Sequence, residues 1–147
     1  MKEFFVIDVG NSDTVVAFIK NYKIFKKHRV KTIKIKQTNS IKTLINLLFS
    51  FIKKEIHQKT RINSLISSVV PEINTKLTDI CFSNLKKKPF FVSSNKLKFN
   101  IKINIKNKQE VGSDRISNTV AVKALYKYPA IIVDFGTATT FDIIDKK

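Results

Sequence analysis

Three stretches hold residues whose types and spacing could do chemistry. The first is Asp8-Val9-Gly10-Asn11-Ser12-Asp13-Thr14-Val15, reached by an apolar run that begins at Phe4. The second is Asp134-Phe135-Gly136-Thr137, reached by the apolar run 131–133. The third is Val111-Gly112-Ser113-Asp114-Arg115. The chain has only three glycines, and each stretch holds one. Glycine is kept where backbone turns tightly or lies close to a ligand.

An aspartate that ends a buried strand before a glycine turn offers two things together. N–H groups in the turn can hold phosphate oxygens. The carboxylate can hold Mg2+, directly or through water, because that hard ion prefers oxygen. Asn11, Ser12 and Thr14 add side-chain donors. One such turn alone is equally an ordinary hairpin capped by Asp and Asn. Two of them suggest phosphate-facing hairpins opposed across a cleft, as a nucleotide-dependent phosphotransferase needs. In the third stretch Ser113 is placed as an N-cap, with Asp114 and Arg115 in a first helical turn whose free N–H groups favour anions. Arg115 offers a planar fork for a carboxylate or phosphate. The only other arginines are Arg29 and Arg61, in a chain of 28 basic residues. Asp114 could accept a proton from a substrate hydroxyl. The same residues also describe a capped helix with a local ion pair.

The elements that must position these residues follow from hydrophobic periodicity. Strands over 4–9, 14–19 and 24–35 form an antiparallel meander, and the nearly continuous apolar character of 4–9 places it centrally, buried on both faces. Residues 40–57 read as a helix, with Ile41, Leu44, Ile45, Leu48, Ile52 and Ile56 as its stripe and Ser40 or Asn39 as its cap. A buried strand over 65–70 ends at Pro71, which suits the first turn of a helix carrying Ile73, Leu77, Ile80 and Cys81. A short strand follows over 89–92, then a weakly structured segment over 96–108. A helix over 113–127 is expected to turn Ile116, Val120, Ala121, Ala124 and Leu125 inward. Strands over 130–135 and 139–144 close the chain as a hairpin.

Composition bounds the remaining choices. With 147 residues, 43% of them hydrophobic, a packed core is feasible. No apolar run approaches the roughly 20 residues of a membrane span. Asp8 interrupts the N-terminal apolar run too early for a signal peptide. A cytoplasmic location and no membrane partner are therefore expected. A single cysteine, Cys81, rules out an internal disulfide framework and reads as a small core residue. The net charge of +17 invites a nucleic-acid reading. Lysine is spread through most segments among Ile and Asn, however, as in a compositionally biased coding sequence. No nucleic-acid partner is expected, although a basic surface would attract a nucleotide phosphate. His28 and His57 stand alone, without metal-ligand spacing. Neither the P-loop nor the dinucleotide Gly-x-Gly-x-x-Gly motif is present.

DVGNSDT, SSVVP, EVGSDRISNTVA and VDFGTATTFD, in that order, resemble the type III pantothenate kinases of the acetate-kinase, sugar-kinase, Hsp70 and actin superfamily. The resemblance implies an α/β chain: a ribonuclease-H-like (actin-like ATPase) domain with a mixed sheet and a linking helix over 1–128, and the first hairpin of a second, truncated one over 129–147. It implies ATP-dependent phosphorylation of pantothenate, the first step towards coenzyme A. Asp8–Val15 and Thr137 would bind ATP, with Asp8 assisting Mg2+. Ile105, Gly112, Ser113, Asp114 and Arg115 would bind pantothenate, with Asp114 as the base and Arg115 on the carboxylate. Asp134 would hold a monovalent cation, K+ or NH4+. Ile105 stands where the family usually has an aromatic, and Asn107-Lys108 where it usually has Asn-Pro. The partner expected is a second copy, as a homodimer, or a complementing C-terminal polypeptide. The alternative reading is an inactive remnant that binds nucleotide or a partner without turnover.

Overall fold

A computed structural model describes residues 3–33, 46, 49, 62–93 and 101–146. The helix expected over 40–57 lies outside the described residues, apart from positions 46 and 49. The chain divides into two compact units, Met1–Phe91 and Val92–Lys147.

The first unit is built on a mixed five-stranded sheet. Strands β1 (Glu3–Val9), β2 (Asp13–Lys20) and β3 (Lys23–Lys31) form the expected antiparallel meander. The β2–β3 turn has Asn21 and Tyr22 both at positive φ, the two-residue hairpin geometry whose twist matches the flanking strands. Strand β4 (Asn63–Ser68) pairs in parallel with β1, and β5 (Phe90–Phe91) in parallel with β4. The order is β3-β2-β1-β4-β5. This is the mixed α/β sheet expected of a ribonuclease-H-like domain. Strand β1 is central by pairing, but its burial is one-sided. Phe5, Ile7 and Val9 are fully buried, whereas Phe4 and Val6 are half-buried and Asp8 is exposed. Side chains alternate across a strand, so the odd positions alone face the core.

Helix α1 (Asn74–Leu85) follows a 3-10 turn that begins at Pro71. Its buried residues Leu77, Cys81 and Leu85 are spaced four apart, one stripe of the helix, and pack with Phe5, Ile7, Ile66 and Phe49. Burial pushes the Cys81 thiol above its usual pKa, as its core position requires.

The second unit contains helix α2 (Ser113–Leu125) and the hairpin β6 (Ala130–Phe135) and β7 (Thr139–Ile144). Of the residues expected to face inward on α2, only Ile116 is buried. Val120 is half-buried, and Ala121, Ala124 and Leu125 are exposed. One face of the hairpin is exposed as well, pairing Ile131 with Ile143 and Val133 with Phe141. Periodicity marks the faces that are apolar; it does not supply the atoms that cover them.

Candidate functional site

The first site begins where β1 ends. Asp8 lies at the carboxyl end of the central strand, beside Val15 of β2 and Ser67 of β4. In open α/β sheets, ligands bind just beyond these carboxyl ends. The chain then turns through Gly10–Ser12. The Gly10 N–H donates to the Asp13 carbonyl at 2.9 Å, closing the loop. A Cβ on Gly10 would sit 3.1 Å from that carbonyl oxygen, so it is tight closure, not positive φ, that requires glycine here. The Val69 N–H donates to the Val9 carbonyl at 3.0 Å and holds the end of β1 against the SSVVP segment.

This loop is braced by a residue that no motif identifies. Thr32 is fully buried and bonds the loop twice: its hydroxyl donates to the Gly10 carbonyl at 2.6 Å, and its N–H donates to the Ser12 carbonyl at 2.8 Å. Thr14, also fully buried, lies 3.1 Å from the Thr32 hydroxyl. Because Thr32 spends its proton on Gly10, Thr14 is the donor between the two. Thr14 therefore braces the loop and does not offer the outward side-chain donor expected of it. Asn11 and Ser12 remain exposed. The Asp13 carboxylate faces β3, 3.1 Å from Lys31 and 3.8 Å from Arg29. Val9 is buried and Val15 half-buried, so both serve the loop through their backbone.

Thr32→Val should destabilise the chain by about 1–3 kcal/mol, because it strands the Gly10 carbonyl and the Thr14 hydroxyl without buried partners. Urea unfolding measures this. A loss below a few tenths of a kcal/mol would show that the brace is dispensable.

The second loop repeats the first with one residue fewer. Three residues separate Phe135 from Thr139, where four separate Val9 from Thr14. Gly136 N–H donates to the Ala138 carbonyl at 3.2 Å. Among the described residues a Cβ on Gly136 would meet nothing closer than 3.6 Å, so packing against them does not require this glycine. Thr137 is exposed at the tip, and Asp134 is half-buried at the end of β6.

The third stretch starts α2. Gly112 is the N-cap, where Ser113 was expected, and no side chain caps this end. Ser113 is the first helical residue and is buried, which leaves Asp114 and Arg115 in the first turn as anticipated. One oxygen of Asp114 accepts the Arg115 N–H at 2.8 Å. Arg115 reaches across to β7: its Nε donates to Asp142 Oδ1 at 2.7 Å, and Nη2 bonds the same oxygen. Hydrogen bonding to Asp142 raises the guanidinium above even its ordinary high pKa, against the smaller opposing effect of burial. Asp142 was not singled out by sequence. Its signal was only that it ends the VDFGTATTFD stretch.

Arg115 and Asp142 line a cleft of about 970 Å³ with Ile105, Val111, Tyr128 and Phe141. Two residues expected at the substrate, Ile105 and Arg115, are thus brought together in one cavity. Gly112, Ser113 and Asp114 form the helix start from which Arg115 projects. Ile105 is half-exposed, and the aromatic lining comes from Tyr128 and Phe141.

Among the described residues, no three His, Cys, Asp or Glu side chains are grouped to hold a metal ion. No helix among them is long and apolar enough to cross a membrane.

Residues 4–147 match the family model described as type III pantothenate kinase. The chain is 40% identical over 142 residues to a type III pantothenate kinase of Desulforapulum autotrophicum, covering 97% of this chain and 53% of that relative. It is 37% identical over 143 residues to one of Persephonella marina, covering 96% and 54%. The chain therefore spans about half the length of the curated relatives it matches. Among solved structures, the PilM-PilN type IV pilus biogenesis complex aligns with a TM-score of 0.49 and 12% identity, over 86% of this chain and 47% of that one.

Proposed function

The chain belongs to the type III pantothenate kinase family, and from that premise we propose that it carries the N-terminal half of an ATP-dependent kinase acting on the hydroxyl of pantothenate. The observation that carries this reading is the start of α2. Its first turn carries a guanidinium, Arg115, in the wall of a cleft large enough for a small acid, and a carboxylate, Asp114, on the residue before it. A substrate with a carboxylate at one end and a hydroxyl at the other would engage both. The product would feed coenzyme A synthesis in the cytoplasm.

The roles follow from the atoms. Arg115 would orient the substrate carboxylate. One Asp114 oxygen is held by the Arg115 N–H, leaving the other to take the proton of the attacking hydroxyl. The loop N–H groups beyond Gly10, whose own N–H is held by the Asp13 carbonyl, and the Thr137 hydroxyl would receive ATP phosphates. Phosphoryl transfer asks the protein chiefly for positioning and charge stabilisation.

The residues fit the ions such a kinase uses. Mg2+ is ordinarily held by one or two carboxylates together with substrate phosphates, and needs no cage of protein ligands. Asp8, exposed at a strand end beside the phosphate loop, suits that arrangement. The bound ion would offset phosphate charge. By register Asp134 lies opposite Thr140 and Asp142 opposite Ile132, so the two carboxylates share a hairpin face. Arg115 neutralises one of them, and the other would suit K+ or NH4+.

We further propose that 129–147 opens a second ribonuclease-H-like domain, with α2 as the linking helix, and that a C-terminal polypeptide or a second copy completes the enzyme. The test is ADP formation dependent on ATP and pantothenate, from the chain alone and with a polypeptide corresponding to the remaining half of the family. Activity only in the mixture is expected. No activity in either arm would favour a remnant that binds without turnover.

A further inference from the structure

The Arg115–Asp142 pair says more than that the two residues attract. Asp142 receives both bonds through one oxygen, and they come from Nε and Nη2, one edge of the guanidinium. A guanidinium carries five N–H donors in a fixed plane. Once the Nε–Nη2 edge is held, the plane of the fork is set, and the Nη1 end is the part that can take an oxygen from a ligand in the cleft. Asp142 is well suited to this. Its side chain is only 13% exposed, against 38% for Arg115, so it is the less mobile partner. It sits mid-strand in β7, paired with Ile132 of β6, on a backbone fixed by the hairpin ladder. Arg115 itself stands in the first turn of α2, where the helix dipole disfavours a cation. A long arginine side chain there would otherwise sample many rotamers in the cleft.

We propose that Asp142 is a positioning residue for substrate recognition: by holding one edge of Arg115 it aims the remaining N–H groups at the carboxylate of a bound acid, so that preference for an acid depends on a strand residue that does not itself bind the ligand's charge. Asp142 also lines the cleft and would repel an anion there if Arg115 did not neutralise it. The pair therefore acts as a unit, attractive only on the arginine side. This inference rests on the proposed substrate site.

The experiment measures, by calorimetry, binding of pantothenate and of its alcohol analogue, in which CH2OH replaces the carboxylate, to the chain together with a polypeptide corresponding to the remaining half of the family. Three proteins are compared: unsubstituted, Arg115→Lys and Asp142→Asn. The unsubstituted chain should prefer the acid, and Arg115→Lys should lose that preference. Asp142→Asn should weaken acid binding by about tenfold to a hundredfold, the cost of a misplaced binding group, and leave the alcohol within about twofold. A merely structural role would weaken both ligands alike. Should Asp142→Asn fail to fold, Asp142→Glu keeps the charge and displaces it by one methylene; it should reduce the preference partially. If Asp142→Asn or Asp142→Glu keeps the full preference while Arg115→Lys loses it, the positioning role is overturned and the substrate site stands. If the unsubstituted chain shows no preference for the acid, the site reading fails and this inference fails with it.

Discussion

Asp114→Asn is expected to lower kcat by about 10²–10⁴-fold, the contribution of a positioned general base. The measurement is steady-state ADP formation by the chain together with its C-terminal complement. The side-chain amide oxygen of Asn can still accept the Arg115 N–H that the aspartate accepts at 2.8 Å. The helix start should therefore keep its geometry, and circular dichroism should be unchanged. KM for pantothenate should stay within a few-fold, because the base acts on the hydroxyl and Arg115 on the other end of the substrate. This split between kcat and KM distinguishes loss of a proton acceptor from loss of a binding contact. Undiminished turnover would refute Asp114 as the base.

The second large effect concerns the last hairpin. Ile131 is 66% exposed, Ile143 78% and Phe135 83%, and they lie with Val133 and Phe141 on one face. Leu125, at the end of α2, is exposed too. A two-stranded hairpin is marginal alone in water, and a contiguous apolar face of this kind marks a contact surface. The isolated chain should associate with itself in a concentration-dependent way, as read by size-exclusion chromatography with light scattering. The C-terminal half of the family is the occupant that the relatives' length suggests. Adding that polypeptide should replace the self-associated species with a defined complex. Ile143→Lys together with Phe135→Lys should yield a monomer that no longer accepts the complement. A clean monomer of the unsubstituted chain at high concentration would sink this view of the hairpin.

Local pattern carried much of the fold. The β6–β7 hairpin could be drawn at its observed boundaries because the mainly apolar run ends at Phe135 before glycine, and a β-branched and aromatic run begins at Thr139. The meander was legible for the same reason, with β3 ending at Lys31, short of the expected strand's far end. The α2 stripe misled. Its apolar residues do repeat at helical spacing, but Ala121, Ala124 and Leu125 lie open. Asp8 and Asp134 stood out because each ends an apolar run just before a glycine turn, and Asp114 and Arg115 because they follow glycine at a helix start. Thr32 and Asp142 did not stand out. Threonine in a strand-rich segment and aspartate after two threonines are ordinary locally.

Among the described residues, local sequence set most of the strands and helices, where the two loops turn, and which ionisable groups stand at their ends. These follow from periodicity and turn chemistry within a few residues of each position. Only the tertiary structure decided what those groups touch. Thr32 closes the first loop from 22 positions beyond Gly10, and Asp142 holds Arg115 from 27 positions beyond it. Strand register and helix placement make those contacts, and no local pattern encodes them. The same limit explains Thr14. Its hydroxyl resembles a phosphate donor in the sequence, but the fold buries it against Thr32, where its proton holds the loop in shape.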